Sequence, residues 1–356
     1  MSESVTKDWT RDPNVISDNG DWWRSLPDPP TKTVRDDFLS HHLRAHNASI
    51  AILSRAASCL YILSAPEEDL IVTAYRIPGP MGLSLASNRL AIGCATDIRT
   101  YVNIESDPRR AAFIPTSVHF TGAISVHDVA WGTESQLFIT NTLFSNICSV
   151  EPGIGFREIW RPSFILDEPV KDACHLNGMI IEDNKPMFAT ALAATATTEG
   201  WRHSPADKGI LIDEHGKVAA SNLSLPHSPT LWGRAILALE AGRGRLLKLD
   251  GSLDVLWHAP SVLRGLAPSS QTLFIGASPV RNNGSATAEL LKSRFPSQQG
   301  SIIFAVDASG QELAKLPLPF IPEISSIHTL PYSEVLLIQP SPEQRFSTYA
   351  FHKSCK

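Results

Sequence analysis

Residues 172–192 read Asp172-Ala-Cys-His-Leu-Asn-Gly-Met-Ile-Ile-Glu-Asp-Asn-Lys-Pro-Met-Phe-Ala-Thr-Ala-Leu192. Polar side chains able to bind ligands come first. An apolar run, a tight polar turn and a second apolar run follow. Two short apolar runs joined by a polar turn predict a pair of antiparallel strands. This pair decides the fold because the chain repeats it.

The same strand–turn–strand pattern occurs six times. The segments are 82–94, 128–141, 177–192, 229–240, 265–277 and 326–339, and their starts lie 46, 49, 52, 36 and 61 residues apart. A second kind of strand pair lies between them, as in 245–258 with its Asp250-Gly251 turn, a dipeptide favoured in hairpins. Four strands in about 40–60 residues are typical of a propeller blade.

The sequence therefore predicts an all-β fold, a six-bladed β-propeller. Apolar strands are already predicted near 50–55, 59–64 and 69–76, ahead of the first repeated segment. The chain thus starts part-way through a blade, and we expect strands from both ends to close the ring, which also removes open sheet edges. Seven blades are the alternative, because a strand predicted near 346–352 needs a partner.

Two segments stand apart from the repeat. Residues 1–47 are polar and Pro-rich and are predicted to form an N-terminal arm with a short helix at 36–45, packed by Trp22 and Trp23 on the propeller domain of residues 48–356. The longest interruption, 278–300, is polar and is predicted to be a surface excursion at the mouth of the ring.

Composition excludes several classes of protein. With 43% apolar and 19% charged residues, the 356-residue chain is globular. The net charge of −5, without a basic block, argues against nucleic acid as a partner. Five scattered cysteines without a CxxC pair argue against a disulfide framework or a zinc knuckle. Without a secretory signal or an apolar run of about 20 residues, we expect a soluble, cytoplasmic protein that does not contact membranes. The oligomeric state is left open.

Three histidines, His127, His175 and His227, each precede a short apolar run and lie 48 and 52 residues apart. The first strand of a propeller blade lines the central channel, so equivalent positions converge at one mouth. A single histidine at a strand start is more often a hydrogen-bonded structural residue, but three at similar places predict a site. The sequence does not decide whether the three side chains point the same way. His127 lies one residue before its repeated segment, whereas His175 and His227 each lie two residues before theirs. A shift of one residue turns a strand side chain to the other face.

Three neutral imidazoles around one point are typical of a mononuclear metal centre with an open position. Zinc and iron are the first choices, and the sequence does not identify the metal. Asp128 or Asp172 is expected to accept the second ring N–H of a ligating histidine. Asp128 and Glu323 are the candidates for proton transfer near the metal.

The same mouth is predicted to bind an anionic substrate. Arg264, Arg202 and Arg281 offer planar donors to a carboxylate or phosphate. Of these three, Arg264 is also predicted to be a catalytic residue. Asn177 and Trp201 complete the predicted substrate-binding set.

Three functions follow from these residues. The first is a metal-dependent lyase or hydrolase acting on a small or peptide-like anionic substrate, or an oxygenase if the metal is iron. The second is a metal-free enzyme in which the same His, Asp and Arg side chains transfer protons directly. The third is a non-catalytic propeller that binds a peptide or another protein at its mouth. The chain contains no HExxH, Walker-type, GxSxG or Rossmann motif.

As a set, several motifs resemble a family of uncharacterised bacterial β-propeller proteins. The matching stretches are His127-Asp-Val-Ala-Trp131, Asn141-Thr-Leu-Phe144, Trp160-Arg-Pro-Ser-Phe-Ile165, Cys174-His-Leu-Asn-Gly178, Thr190-Ala-Leu192, Gly200-Trp-Arg202, Pro226-His-Ser-Pro229, Arg264-Gly-Leu266 and Gly276-Ala-Ser278. The resemblance covers roughly residues 48–340 and implies a propeller with a shared site, but no reaction. The family has a glutamate where Glu323 stands and an acidic residue where this chain has Ser326. A looser likeness in architecture links the chain to metal-dependent propeller enzymes, but fold likeness does not carry function.

Overall fold

The computed structural model describes residues 31–151, 153–166, 171–281, 285–296 and 300–338. These residues form six sheets of four or five strands. One end strand of each sheet contacts the corresponding strand of the next sheet, and the contacts close into a ring. The predicted six-bladed propeller is confirmed, and the alternative of seven blades is wrong.

In chain order, the first thirteen strands are β1 (Thr31–Val34), β2 (Ser49–Ser54), β3 (Cys59–Ser64), β4 (Leu70–Arg76), β5 (Gly82–Ala86), β6 (Arg89–Gly93), β7 (Asp97–Asn103), β8 (Arg110–Phe120), β9 (Val126–Trp131), β10 (Leu137–Asn141), β11 (Asn146–Glu151), β12 (Gly155–Trp160) and β13 (Leu176–Glu182). They continue with β14 (Lys185–Ala191), β15 (Gly209–Asp213), β16 (Val218–Leu223), β17 (Pro226–Trp232), β18 (Ala235–Glu240), β19 (Arg245–Asp250), β20 (Ser252–His258), β21 (Val262–Ser269), β22 (Thr272–Ser278), β23 (Ser301–Asp307), β24 (Glu312–Leu318), β25 (Ser326–Leu330) and β26 (Glu334–Leu337).

Strands from both ends of the chain close the ring, as predicted. The first blade has the order β25-β2-β3-β4-β1, so a late strand supplies its inner edge. β25 and β2 are antiparallel, with Ile327 opposite Ile52. The second blade, β5 to β8, gains β26 as a parallel outer strand. The strand predicted near 346–352 lies outside the described residues.

Apolar side chains between neighbouring blades form the core. Each of the six interfaces has its own buried cluster. Phe138 of the third blade packs with Ile212 of the fourth, for example, and both are almost completely buried. Alternation along each strand directs one set of side chains to each neighbouring blade. The inner strands β5, β9, β13, β17, β21 and β25 are thereby held around the axis.

Helix α1 (Asp37–Ala45) covers the junction of the first and last blades. Its amide of Leu39 donates to the Asp36 carboxylate at 2.8 Å, an N-cap. Leu39 and Leu43 are fully buried in the interface cluster. The helix predicted at 36–45 is confirmed, whereas Trp22 and Trp23 lie outside the described residues. The division into an arm of residues 1–47 and a domain of residues 48–356 stays a prediction.

Helix α2 (Ala286–Arg294) lies in the predicted 278–300 excursion. The guanidinium of Arg294 donates to both oxygens of Asp207, at 3.2 and 3.0 Å, and to the carbonyl of Gly242 at 2.8 Å. Bidentate pairs of this kind fix orientation as well as distance, so α2 is attached to the fourth and fifth blades. No helix in the described part of the chain is long and apolar enough to cross a membrane.

Four consecutive inner strands carry a β-bulge near their start. The bulged positions are 127–128 in β9, 177 in β13, 228–229 in β17 and 264–265 in β21. β5 and β25 pair with their neighbours without such a shift. A bulge inserts an extra residue and redirects its side chain. Four of the predicted site residues lie at these bulged positions: His127, Asp128, Asn177 and Arg264.

Candidate functional site

The inner strands β9, β13 and β17 start at Val126, Leu176 and Pro226, fifty residues apart. The second residue of these strands is His127, Asn177 or His227, respectively. These three side chains are therefore structural equivalents. His175 is not equivalent to the other two histidines, because it lies two residues earlier and precedes its strand. Aligning the three strand starts in the sequence would have shown this.

The residue preceding each of these strands has a left-handed backbone. Ser125, His175 and Leu225 have φ values of 57°, 55° and 52°. The turn directs the carbonyls of Ser125 and Leu225 back toward the following histidine. Nδ1 of His127 donates to the Ser125 oxygen at 3.0 Å, and Nδ1 of His227 donates to the Leu225 oxygen at 2.9 Å. Since a carbonyl only accepts, both neutral rings carry their proton on Nδ1 and keep a lone pair on Nε2.

His175 is held by a carboxylate instead of a carbonyl. Its Nδ1 lies 3.0 and 3.1 Å from the two oxygens of Asp172. Asp172 is buried and also accepts from the indole N–H of Trp201 at 2.8 Å. The His175 ring lies 4.3 Å from the Trp201 ring and 4.8 Å from the His127 ring, centroid to centroid. This arrangement orients the ring and leaves Nε2 of His175 available as a base.

Arg264 lies at the bulge of β21, where Gly265 has φ 83°. A Cβ at Gly265 would lie 2.5 Å from the Ile327 nitrogen, so the close packing of β21 and β25 requires glycine there. Within the described residues, no carboxylate lies within ion-pair distance of Arg264. The nearby Glu323 carboxylate instead pairs with Arg281 at 2.7 Å. Burial, followed by the charge of Arg281, lowers the pKa of Arg264 to about 10.

The same electrostatics keep two of the histidines neutral. Burial lowers the pKa of His127 well below 6.5, and His175 and Arg264 lower it further. For His227, burial and then Arg264 lower the pKa well below 6.5. The positive potential at this mouth therefore favours an anion over a cation.

Two neighbouring cavities contain these side chains. The mouth cavity has a volume of about 320 Å³, and a chamber of about 60 Å³ lies on the axis next to it. His227 and Arg264 line both. The predicted residues at the mouth cavity are His175, Trp201, Arg202, His227, Arg264, Arg281 and Glu323. Those at the chamber are His127, Asp128, Asn177, His227 and Arg264.

The structure thus gathers all ten predicted residues along one stretch of the channel, but at different depths. Asp128 lines the chamber and a third cavity of about 660 Å³ beyond it, not the mouth. Its carboxylate accepts from the amides of Val129 and Met179 at 3.0 and 3.1 Å, and burial raises its pKa to about 7. Arg202 stacks on Trp201 at 4.5 Å and lies 3.6 Å from Glu199.

The sequence did not predict the roles of some residues at the site. Asp172 was considered only as one of two possible partners for a histidine. His328, on β25, also lines the axial chamber. Helix α2 supplies a wall of the mouth cavity, including Leu291. Cys174, beside His175, is completely buried, and burial raises the pKa of its thiol to about 12, which agrees with a structural residue.

The predicted three-histidine metal centre is not confirmed. Throughout the described ranges, no group of three or more His, Cys, Asp or Glu side chains is arranged to hold a metal ion. The physical reasons are the two-residue offset of His175 from His127 and His227, and the guanidinium of Arg264 beside them. Both features oppose the binding of a divalent cation by the three histidines.

Comparison with known proteins supports the fold and leaves the reaction open. The profile of a family described as a domain of unknown function (DUF4915) matches residues 37–337. No curated protein has a matching sequence. A chain in the crystal structure of a nidogen/laminin complex is 14% identical, with a TM-score of 0.55 over 81% of this chain and 99% of that chain. A protein of unknown function from Bacteroides caccae is 10% identical, with a TM-score of 0.50 over 80% and 98%. At such identities, the likeness concerns the fold alone.

Proposed function

Because the chain belongs to the DUF4915 family, whose description specifies no reaction, we propose a function from its own residues. It is an enzyme that binds a small anionic molecule at the propeller mouth and transfers a proton with His175. This is acid–base chemistry of the kind used by lyases and hydrolases, and it needs no metal ion.

The unpaired guanidinium of Arg264 is the observation that carries this proposal. Arg264 is half-buried at the cavities and has no carboxylate within ion-pair distance among the described residues, so its charge is available to an anionic ligand. Arg202 and Arg281 lie at the same cavity, but each already has a glutamate nearby, at 3.6 and 2.7 Å. Arg264 is therefore the cation to which a carboxylate or phosphate of the substrate binds.

His175 has the geometry of a general base. Asp172 holds its Nδ1–H, so Nε2 accepts the proton, and Asp172 stabilises the imidazolium that forms. The proton comes either from a carbon next to the anionic group, as in a lyase, or from a water, as in a hydrolase. His175 then returns it to the leaving group. His127 and His227 stay neutral and offer Nε2 lone pairs to substrate hydroxyls or to that water.

A metal-dependent enzyme is the competing interpretation of the same residues. One observation favours it: each Nδ1 is bound to a carbonyl or carboxylate, as is usual for histidines that ligate through Nε2. The neighbouring Arg264 and the offset of His175 oppose it. Metal analysis of untagged protein decides between them, since at least about half an equivalent of zinc or iron, lost in His175→Ala, would support the metal enzyme.

The experiment is a panel of small carboxylates and phosphates, screened at constant ionic strength for thermal stabilisation and then for turnover. We expect Arg264→Met to lose anion binding. His175→Gln is expected to keep binding but to lower turnover roughly 10²–10⁴-fold, the usual contribution of an acid–base residue. His258→Gln, an exposed histidine at the end of β20, is the matched control.

Three results would contradict the proposal. Binding without turnover of any bound anion would indicate a recognition module. Turnover abolished by chelators and restored by metal would indicate the metal enzyme. Equal binding by wild type and Arg264→Met would show that the anion does not occupy this site.

A further inference from the structure

The axial chamber holds a second group without a partner. Asn177 is only 5% exposed, and its Oδ1 accepts from the Thr190 hydroxyl at 2.7 Å. Its Nδ2 is buried without a hydrogen-bond partner among the described residues. Buried amide donors are nearly always paired, so Asn177 keeps an unused donor. It lines the same chamber as Arg264.

The chamber accommodates a compact group. Its volume is about 60 Å³, and a cavity measured in this way needs roughly 10–15 Å³ for each water. It is therefore larger than one water needs and too small for most whole substrates. Arg264 and Asn177 line this chamber together with Asp128, whose pKa burial raises to about 7. A guanidinium and an amide beside one small space are suited to an oxyanion such as a carboxylate or a phosphate.

The adjoining mouth cavity has a different character. Apolar side chains contribute much of its wall: Leu192, Leu225, Val262, Val280, Leu291 and Ile324. Leu291 lies on helix α2, which Arg294 attaches to Asp207. An apolar wall stabilises the hydrocarbon part of a ligand in proportion to the area removed from water. The two neighbouring cavities therefore differ in the chemistry that they select.

From this difference, we propose that the substrate is an amphipathic anion. Its compact carboxylate or phosphate head lies in the axial chamber against Arg264 and Asn177. Its apolar body lies in the mouth cavity against α2 and the blade ends. The bond that reacts is next to the head, near His227, which lines both cavities, and His175, which lines the mouth cavity. This inference rests on the proposed function and adds the substrate class to it.

The test is calorimetric titration of two homologous series, linear alkyl carboxylates and linear alkyl phosphates, from about two to about ten carbons. We expect affinity to rise roughly threefold for each added methylene until the mouth cavity is filled. The series that binds more tightly at equal chain length identifies the head group.

Two variants make the test specific. Asn177→Asp keeps the acceptor for Thr190 but places a negative charge in the chamber, and we expect at least about a tenfold loss of affinity for every member of the bound series. Leu291→Ala is expected to weaken the long chains severalfold and to leave the two-carbon anion unchanged. Asn88→Asp, on the exposed β5–β6 turn, is the control for an added charge.

The outcomes separate this inference from the function on which it rests. If short anions bind through Arg264 but chain length has no effect, the inference is overturned and the proposed function stands. If Asn177→Asp binds like the wild type, the head does not occupy the chamber and the inference is again overturned. If no anion in either series binds, both fail.

Discussion

Replacing Arg264 by methionine is expected to make the ligand-free protein more stable while removing its anion binding. Burial lowers the pKa of Arg264 from 12.5 to about 10. Since one pKa unit corresponds to about 1.4 kcal/mol, the charged side chain is disfavoured by roughly 3 kcal/mol on folding. Methionine has a similar length and no charge. Allowing for lost contacts, we expect the free energy of unfolding to rise by about 1–3 kcal/mol.

The assay is urea unfolding at pH 7, with and without a bound anion from the titration series. Both folded and unfolded chains keep Arg264 protonated at this pH, so the gain is expected to be constant between about pH 6 and 8. The anion is expected to stabilise the wild type by about 2.7 kcal/mol at a hundred times its Kd, and the variant not at all. Arg234→Met, at an exposed hairpin turn, is expected to change stability by less than about 0.5 kcal/mol.

A different result would refute this reasoning. If Arg264→Met loses more than about 1 kcal/mol of stability in the absence of ligand, Arg264 has a structural partner and its charge is already compensated. Equal stabilisation of both proteins by the anion would refute the assignment of Arg264 as its binding group.

Three further predictions concern the scaffold. Burial lowers the pKa of His42 from 6.5 to about 4, so His42 binds its proton more weakly in the folded chain than in the unfolded chain. The free energy of unfolding is therefore expected to fall by up to about 3 kcal/mol as the pH decreases from 6.5 to about 4. In urea titrations, His42→Phe should show a flatter pH dependence of stability. Asp207→Asn removes the negative charge that binds Arg294, so limited proteolysis around α2 is expected to become severalfold faster. An unchanged rate of proteolysis would mean that other contacts hold the helix. Phe113→Ala, at a fully buried site, is expected to lower stability by about 3–5 kcal/mol, against less than about 0.5 kcal/mol for Phe120→Ala, a residue that is 79% exposed.

The blade pattern was predictable because it is local. Two apolar runs around a polar turn specify a strand pair, whatever the rest of the chain does, and the repeat of that pair specifies the propeller. The approximate location of the site was also predictable, since repeated positions converge at the axis. The helix in the 278–300 excursion was not predicted, because that segment is polar and shows no clear helical period.

Six blades, the closure of the ring and a set of polar residues along the channel could all be inferred from the order of the amino acids. The roles of those polar residues required the folded chain, because bulges in four inner strands and the turns before them decide which side chains meet. Asn177 takes the position of His127 and His227 in its strand, and His175, in the turn before that strand, contacts Asp172. The fold also leaves Arg264 beside the histidines without a carboxylate in the described residues. Hydrogen-bond partners and buried charges depend on residues far apart in the chain, and no local pattern contains them.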